Sequence, residues 1–270
     1  MPSTLNDIKL NSLYCLFKGE WGTRKSSQAL SFPTPQYWFS YDQKMEGILR
    51  PAKIFGIDFI KDVHFDDYHD WEAARKKLET LQVNCPYRTI VIDSITSLGD
   101  AVNRQTLKLK GGTTTKGGTN AGKTIAGIPV NSIEDYNAEA SVFQEIIALT
   151  KDIQRAFKVN IILIAHVIRT DEKDLSGRVH VARTIVTGGK KAAAKIPGYC
   201  TEIYHFNIKT DIDANSGGKY GLITEHAGED YARTSLPLPR EILFGDAPLY
   251  EGWIAPAIKK LMEEKPISKL

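Results

Sequence analysis

Four short, almost wholly apolar runs set the problem this chain must solve. Leu13 to Phe17 (LYCLF), Gln36 to Tyr41 (QYWFSY), Arg88 to Asp93 (RTIVID) and Asn160 to Ala165 (NIILIA) are apolar at odd and even positions alike. A strand with one face in water alternates, whereas a strand of a sheet covered on both faces does not. Helical signals fall between these runs. Ser26 to Ser31 reads as a short helix stopped by Phe32-Pro33-Thr34-Pro35. Asp70 to Leu81 has an Asp cap with Ala74, Leu78 and Leu81 at helical spacing. Ala138 to Phe157 repeats Val142, Ile146, Leu149, Ile153 and Phe157 on one face. Strands alternating with helices predict an α/β fold with a mostly parallel central sheet and helices on both faces. Glu202 to Lys209 and Tyr220 to Glu225, separated by a Gly-containing turn, predict an antiparallel hairpin toward the C-terminus, and Ala255 to Glu264 a closing helix.

The 270 residues suit one core, so residues 1–270 are expected to form a single domain, with its centre over about 13–226 and an extension over about 227–270. No apolar run reaches the roughly 20 residues of a membrane span, and the first residues lack a signal-peptide pattern. A cytoplasmic protein is the expectation, in the host cytoplasm if phage-encoded. Cys15, Cys85 and Cys200 show no metal or disulfide spacing.

Two segments compete as phosphate loops, Gly19 to Ser26 (GEWGTRKS) and Gly117 to Thr124 (GGTNAGKT). The second fits the pattern G-x-x-x-x-G-K-[ST] better in spelling. The pattern works because glycine backbones curl N–H groups around phosphate, the Lys reaches the outer phosphates and the hydroxyl holds Mg²⁺. Those groups converge only where a strand enters the loop and a helix leaves it. The first segment has both neighbours; the second lies in a Gly/Thr/Lys-rich stretch with neither. Gly19, Gly22, Thr23, Arg24, Lys25, Ser26 and Ser27 are therefore the candidate nucleotide residues. Arg24 stands where glycine is usual; it either points outward, adds charge at the phosphates, or marks a degenerate loop.

RTIVID ends in Asp93, placing a carboxylate where a Mg²⁺ shell would need it, with Ser26 as the hydroxyl ligand. Asp42, just past the second strand, either orients an attacking water or is a turn acid. His64 and His69 flank metal-capable acids but read better as a solvated turn.

In this order the segments resemble the RecA-like P-loop ATPase family, most closely the compact phage-type ATPases of recombination and single-strand annealing. GEWGTRKSS is similar to the family's phosphate loop, YWFSYD to the strand delivering its catalytic acid, IVIDS to its Walker B strand, IILIAHVIR to its sensor strand, and TGGKKAAAKIPGYCTEIYHF to the segment after its second DNA-binding loop. The resemblance spans about Leu13 to Lys209. It implies a RecA-like three-layer fold, ATP and Mg²⁺ as cofactors, and DNA-stimulated ATP hydrolysis. Lys25 and Ser26 become the phosphate and Mg²⁺ residues, Asp42 the catalytic acid, Asp93 the Walker B acid and His166 the γ-phosphate sensor. Asp42 and His166 depart from the family's frequent Glu and Gln. Read by itself, His166 also fits a core histidine at a strand end.

Charge is concentrated in two acid-free stretches. Ala101 to Ile133 holds Arg104, Lys108, Lys110, Lys116 and Lys123; Leu175 to Thr201 holds Arg178, Arg183, Lys190, Lys191 and Lys195. These ten positive charges stand against a net of +3, so the remainder of the chain carries −7. By the resemblance both stretches are loops lining a single-stranded DNA path, where bases neutralise phosphates without reading sequence. The plainer reading is solvated loops. The family also implies a homo-oligomer, filament or ring, with Lys209, Lys219 and Arg240 as candidate cations acting across a subunit boundary. A single-strand annealing or single-strand-binding protein is a further expected partner. With the loop starting at Gly19, the expectation is that assembly uses the core itself or a short end segment rather than a separate oligomerisation domain ahead of it. The competing class is a nucleotide-binding accessory module, a helicase loader or annealing-protein helper with little turnover. A small-molecule kinase would need acidic or aromatic lids in place of basic loops.

Overall fold

The computed structural model describes residues 12–109, 124–125, 128–129, 133–173, 179–187, 190–209, 219–228 and 230–263. Its elements run in the order β1 (Tyr14–Gly19), α1 (Lys25–Leu30), β2 (Gln36–Ser40), α2 (Leu49–Phe55), α3 (Phe59–Asp62), β3 (Val63–Asp67), α4 (Trp71–Val83), β4 (Thr89–Asp93) and α5 (Ile95–Leu109). There follow the two-residue strands β5 (Thr124–Ile125) and β6 (Ile128–Pro129), then α6 (Ile133–Phe157), β7 (Asn160–Lys173), β8 (Val179–Ile185), α7 (Lys190–Tyr199), β9 (Glu202–Lys209), β10 (Lys219–Ile223), β11 (Glu241–Leu243) and α8 (Ala255–Glu263).

Nine strands form one sheet in the order β11-β10-β9-β1-β7-β4-β2-β3, with β8 attached to β7. From β9 across to β3 every pairing is parallel. β10, β11 and β8 join antiparallel. The four apolar runs are the central strands, and each sends alternate residues into different cores. Tyr14 and Leu16 meet Leu78, Ile146 and Ile153 of α4 and α6 on one face. Cys15 and Phe17 meet Ala29, Leu30, Ile254 and Ala257 of the opposite face. Burial on both faces removes alternation from the sequence, as expected of a parallel sheet.

The expected helices and strands lie where the periodicity puts them, within a few residues at their ends. α4 takes Asp70 as its cap, the carboxylate accepting from the Ala73 N–H at 2.9 Å. Tertiary structure changes three expectations. His64 to Asp67 is edge strand β3, paired with β2, rather than a turn. Asp66 accepts from Tyr37, and His64 Nδ1 lies 3.0 Å from the Tyr87 hydroxyl. Among the described residues no group of three metal-capable side chains exists. Secondly, the two acid-free stretches are not simply loops. Arg104 and Lys108 lie on α5, Arg183 on β8, and Lys190 and Lys191 on α7. Thirdly, β7 continues past Ala165 to Lys173 and folds back as β8, with Val167 facing Ile185 and Lys173 facing Val179. Lys110, Lys116, Lys123, Arg178 and nearly all of the second phosphate-loop look-alike lie outside the described residues. Among those described, no helix is long and apolar enough to cross a membrane.

Candidate active site

The C-terminal ends of β1, β2 and β4 meet β7 at His166 along one edge of the sheet. Gly19 stands opposite His166 and Ser40 opposite Asp93 in the strand register. An open parallel sheet binds ligands at this edge, where successive connections leave on opposite sides. A cleft of about 410 Å³ opens there, and Lys25, Ser26, Asp42, Asp93 and His166 all line it. Five side chains scattered over 142 positions of sequence thus line one cleft.

The loop itself is built from backbone constraints. A Cβ on Gly19 would lie 2.4 Å from the Phe206 carbonyl oxygen, so only glycine lets β1 leave the sheet there. Gly22 has φ 76° and Arg24 φ 66°; the first is natural for glycine, and the second costs a side-chain-bearing residue roughly 1–2 kcal/mol. Lys25 folds back into the loop, its Nζ donating to the carbonyls of Gly19 at 2.9 Å and Glu20 at 2.7 Å. Burial pushes its ammonium down to about 8, against the opposing pull of Asp93, Asp42 and Glu20. Carbonyl oxygens around an ammonium make a position where phosphate oxygens can replace them.

Arg24 does not face that position. Its guanidinium stacks 3.8 Å from the Tyr220 ring centre, donates to the Gly245 carbonyl at 2.7 Å and pairs with Asp246. Further along α1, Gln28 donates to the Ala247 carbonyl at 3.0 Å and accepts from the Leu249 N–H at 2.7 Å, and Ser31 Oγ accepts from the Tyr250 N–H at 3.0 Å. The helix of the phosphate loop is therefore latched along its length to residues 245–250. The guanidinium thus points outward, while Arg24 still contributes to the lining of the cleft. Between α1 and α2 a smaller cavity of about 190 Å³, which includes Arg24, Ser27, Arg50, Ile54 and Asp246, adjoins the cleft.

Asp93 and Asp42 sit in contrasting surroundings. Burial, aided by the nearby Asp42 charge, pushes Asp93 up to about 7, although a Ser26 hydrogen bond and the charges of Lys25 and Lys44 oppose the rise. Asp42 also meets a burial penalty, but hydrogen bonds from His166, Ser97 and Ser94 outweigh it and hold the carboxyl at about 2. Ser94 Oγ donates to Asp42 Oδ1 at 2.9 Å, and His166 Nε2 lies 3.4 Å from Oδ2. Asp42 is thus anchored in the cleft, in the bend that follows β2. His166 is 9% exposed and lines the same cleft. The Ser26–Asp93 hydrogen bond brings together a hydroxyl and a carboxylate, the oxygen donors a hard divalent cation takes.

Sequence reasoning missed Trp21, Lys44, Ser94 and Ser97. Trp21 occupies an unspecified position of the motif; Lys44 lines the cleft and Ser94 and Ser97 bond Asp42 only through the fold. Arg183, expected on a DNA path, pairs with Asp230 at 2.7 Å and approaches Glu20 of the phosphate loop at 3.9 Å. Asp230 also lies 3.2 Å from His205. Arg104 and Lys195 are exposed, and Lys209 pairs with Glu241.

A parallel sheet with a strand–loop–helix phosphate site, a hydroxyl–acid pair for a metal and a second acid beside it defines the class of P-loop nucleotide-binding proteins. Within that class, a family model described as an AAA domain matches residues 15–236. The chain belongs to that family, whose domain is that of an ATPase. No curated protein matches it.

Proposed function

We propose that this protein is a Mg-ATP-dependent, single-stranded-DNA-binding ATPase of RecA type that acts in DNA recombination or annealing. The observation carrying the proposal is the continuity of β7: the strand that places His166 in the cleft runs without a break into the β7–β8 hairpin of the second basic stretch. A polyanion held by that stretch would bear on a strand that passes through the reaction site at His166.

In this reading Lys25 leaves the Gly19 and Glu20 carbonyls for the outer phosphates, and the loop N–H groups surround the inner ones. Bound Mg²⁺ neutralises developing phosphate charge; Ser26 and Asp93 are the residues that hold it. Asp42, ionised throughout the neutral range, accepts a proton from or orients the attacking water, and His166 both fixes Asp42 and meets the outermost phosphate. Arg104, Lys108, Lys110, Lys116, Lys123, Arg178, Lys190 and Lys191 supply contacts to DNA phosphates, and subunits assemble side by side along the strand. An annealing or single-strand-binding protein is a compatible partner.

ATP hydrolysis measured with and without single-stranded DNA tests the proposal. Stimulation abolished by Lys25→Ala supports it, together with DNA affinity falling with salt at a slope of roughly −0.7 per phosphate contacted. Nucleotide binding without DNA-dependent turnover favours the accessory-module reading instead.

A further inference from the structure

We propose that Trp21 is a positioning residue for hydrolysis, holding the His166 imidazole against Asp42 and tying that pair to the phosphate loop. The inference rests on the ATPase reading above. Its indole stacks on the His166 ring with centroids 4.9 Å apart and planes inclined by 16°. Trp21 is 62% exposed while His166 beneath it is 9% exposed, so the indole stands between solvent and the histidine.

Little else fixes the ring. The backbone of His166 is held by its N–H donating to Thr96 Oγ1 at 3.1 Å, but that does not set the side-chain torsion. At the ring itself, Nε2 has the 3.4 Å contact with Asp42, long for a hydrogen bond. Nδ1 is buried without a partner. The terminal torsion of a histidine is broad, and a flat aromatic surface on one face is what narrows it. The angle of the ring matters because Ser94 already holds Asp42 Oδ1. Whether Oδ2 stays with His166 or turns toward water is then decided by the ring.

Trp21 also sits next to the residue that holds Lys25. The Glu20 carbonyl accepts from Lys25 Nζ at 2.7 Å and from Thr23 Oγ1 at 2.8 Å. Phosphates drawing Lys25 away from Glu20 therefore shift the backbone that carries the indole. Occupancy of the loop reaches the His166–Asp42 pair through this stack as well as by direct contact.

Trp21→Ala and Trp21→Phe in the full chain test the proposal. The Ala variant is expected to lower kcat about threefold to tenfold, the preference of one aromatic pair, with KM for ATP changed less than about twofold. Phe restores kcat to within about threefold. The accompanying signature is an upfield ring-current shift of the His166 ring protons in nucleotide-free protein, assigned by its loss in His166→Gln. It should be present in the parent and Phe proteins and absent in Ala. An unchanged kcat in Trp21→Ala, or loss of ATP binding along with kcat, overturns the proposal, the latter making Trp21 a nucleotide contact. Absence of turnover in the parent protein removes the ATPase reading alone. The ring-current shift then decides the contact by itself, and its absence from the parent overturns it.

Discussion

Replacing Arg24 separates two opposing contributions that the structure assigns to one residue. Its left-handed backbone, φ 66°, costs roughly 1–2 kcal/mol relative to glycine. Glycine's greater freedom in the unfolded chain returns about 0.4–1 kcal/mol of that, leaving Gly favoured over Ala by about 0.5–1 kcal/mol. Against this stand the side-chain contacts. The stack on Tyr220 is worth about 0.5–1 kcal/mol. The Asp246 partner is 62% exposed, so that ion pair contributes about 0–1 kcal/mol after screening, and the bond to the Gly245 carbonyl about 1 kcal/mol. Arg24→Ala loses the contacts and keeps the strain, so it should destabilise by roughly 1.5–3 kcal/mol. Arg24→Gly should lose about 0.5–1 kcal/mol less than that. In thermal unfolding the two variants would differ by about 1–4 °C, glycine the higher. Titration with ATP completes the assay: because the guanidinium points at residues 245–246, both variants should bind nucleotide within about threefold of the parent. An alanine variant as stable as the glycine one would refute the strain argument. A tenfold loss of ATP affinity in the glycine variant would refute the outward assignment.

Three further outcomes follow from the same geometry. Gly19→Ala brings a methyl group to 2.4 Å from the Phe206 carbonyl oxygen and should cost roughly 1–3 kcal/mol or more, read as a lowered urea midpoint; a midpoint like the parent's would contradict the close approach. Mg-nucleotide affinity should peak between pH 7 and 8. Asp93, pushed up to about 7, must lose its proton to hold the metal, so affinity rises with pH through that value; Lys25, pushed down to about 8, must keep its proton for the phosphates, so affinity falls as pH rises past it. A titration flat from pH 6 to 9 would exclude this pair as the controlling groups. Asp42→Asn should lower kcat at least 100-fold while equilibrium binding of ATP stays near the parent's; equal losses in both would make Asp42 a binding residue.

The legible part of the site is the part made by local chemistry. Gly19, Lys25 and Ser26 are readable because a phosphate loop draws its groups from consecutive residues between a strand and a helix, and Asp93 because one apolar strand delivers it. Asp42 is readable from its place just past the second strand, whereas His166 needed a family likeness to single it out, and their hydrogen bond to each other joins residues 124 positions apart. Ser94, Ser97 and Trp21 carried no signal, since nothing in their neighbours on the chain requires a hydroxyl or an indole. The edge strand at His64 was misread because β3, buried only at Val63, has too little apolar pattern to announce itself.

Sequence alone determined that the chain forms a doubly covered parallel sheet, because apolar runs of strand length can be buried in few other ways. It also singled out Gly19 to Ser26 as the expected nucleotide loop, because a strand-length apolar run precedes it and a helical segment follows. Tertiary structure decided the fate of Arg24, drawn from the phosphates by Tyr220, Gly245 and Asp246 from the far end of the chain, and that of Arg183, paired with Asp230 instead of facing solvent. Both are cations whose role depends on a partner, and the partner of a long side chain is chosen by space and not by sequence neighbourhood.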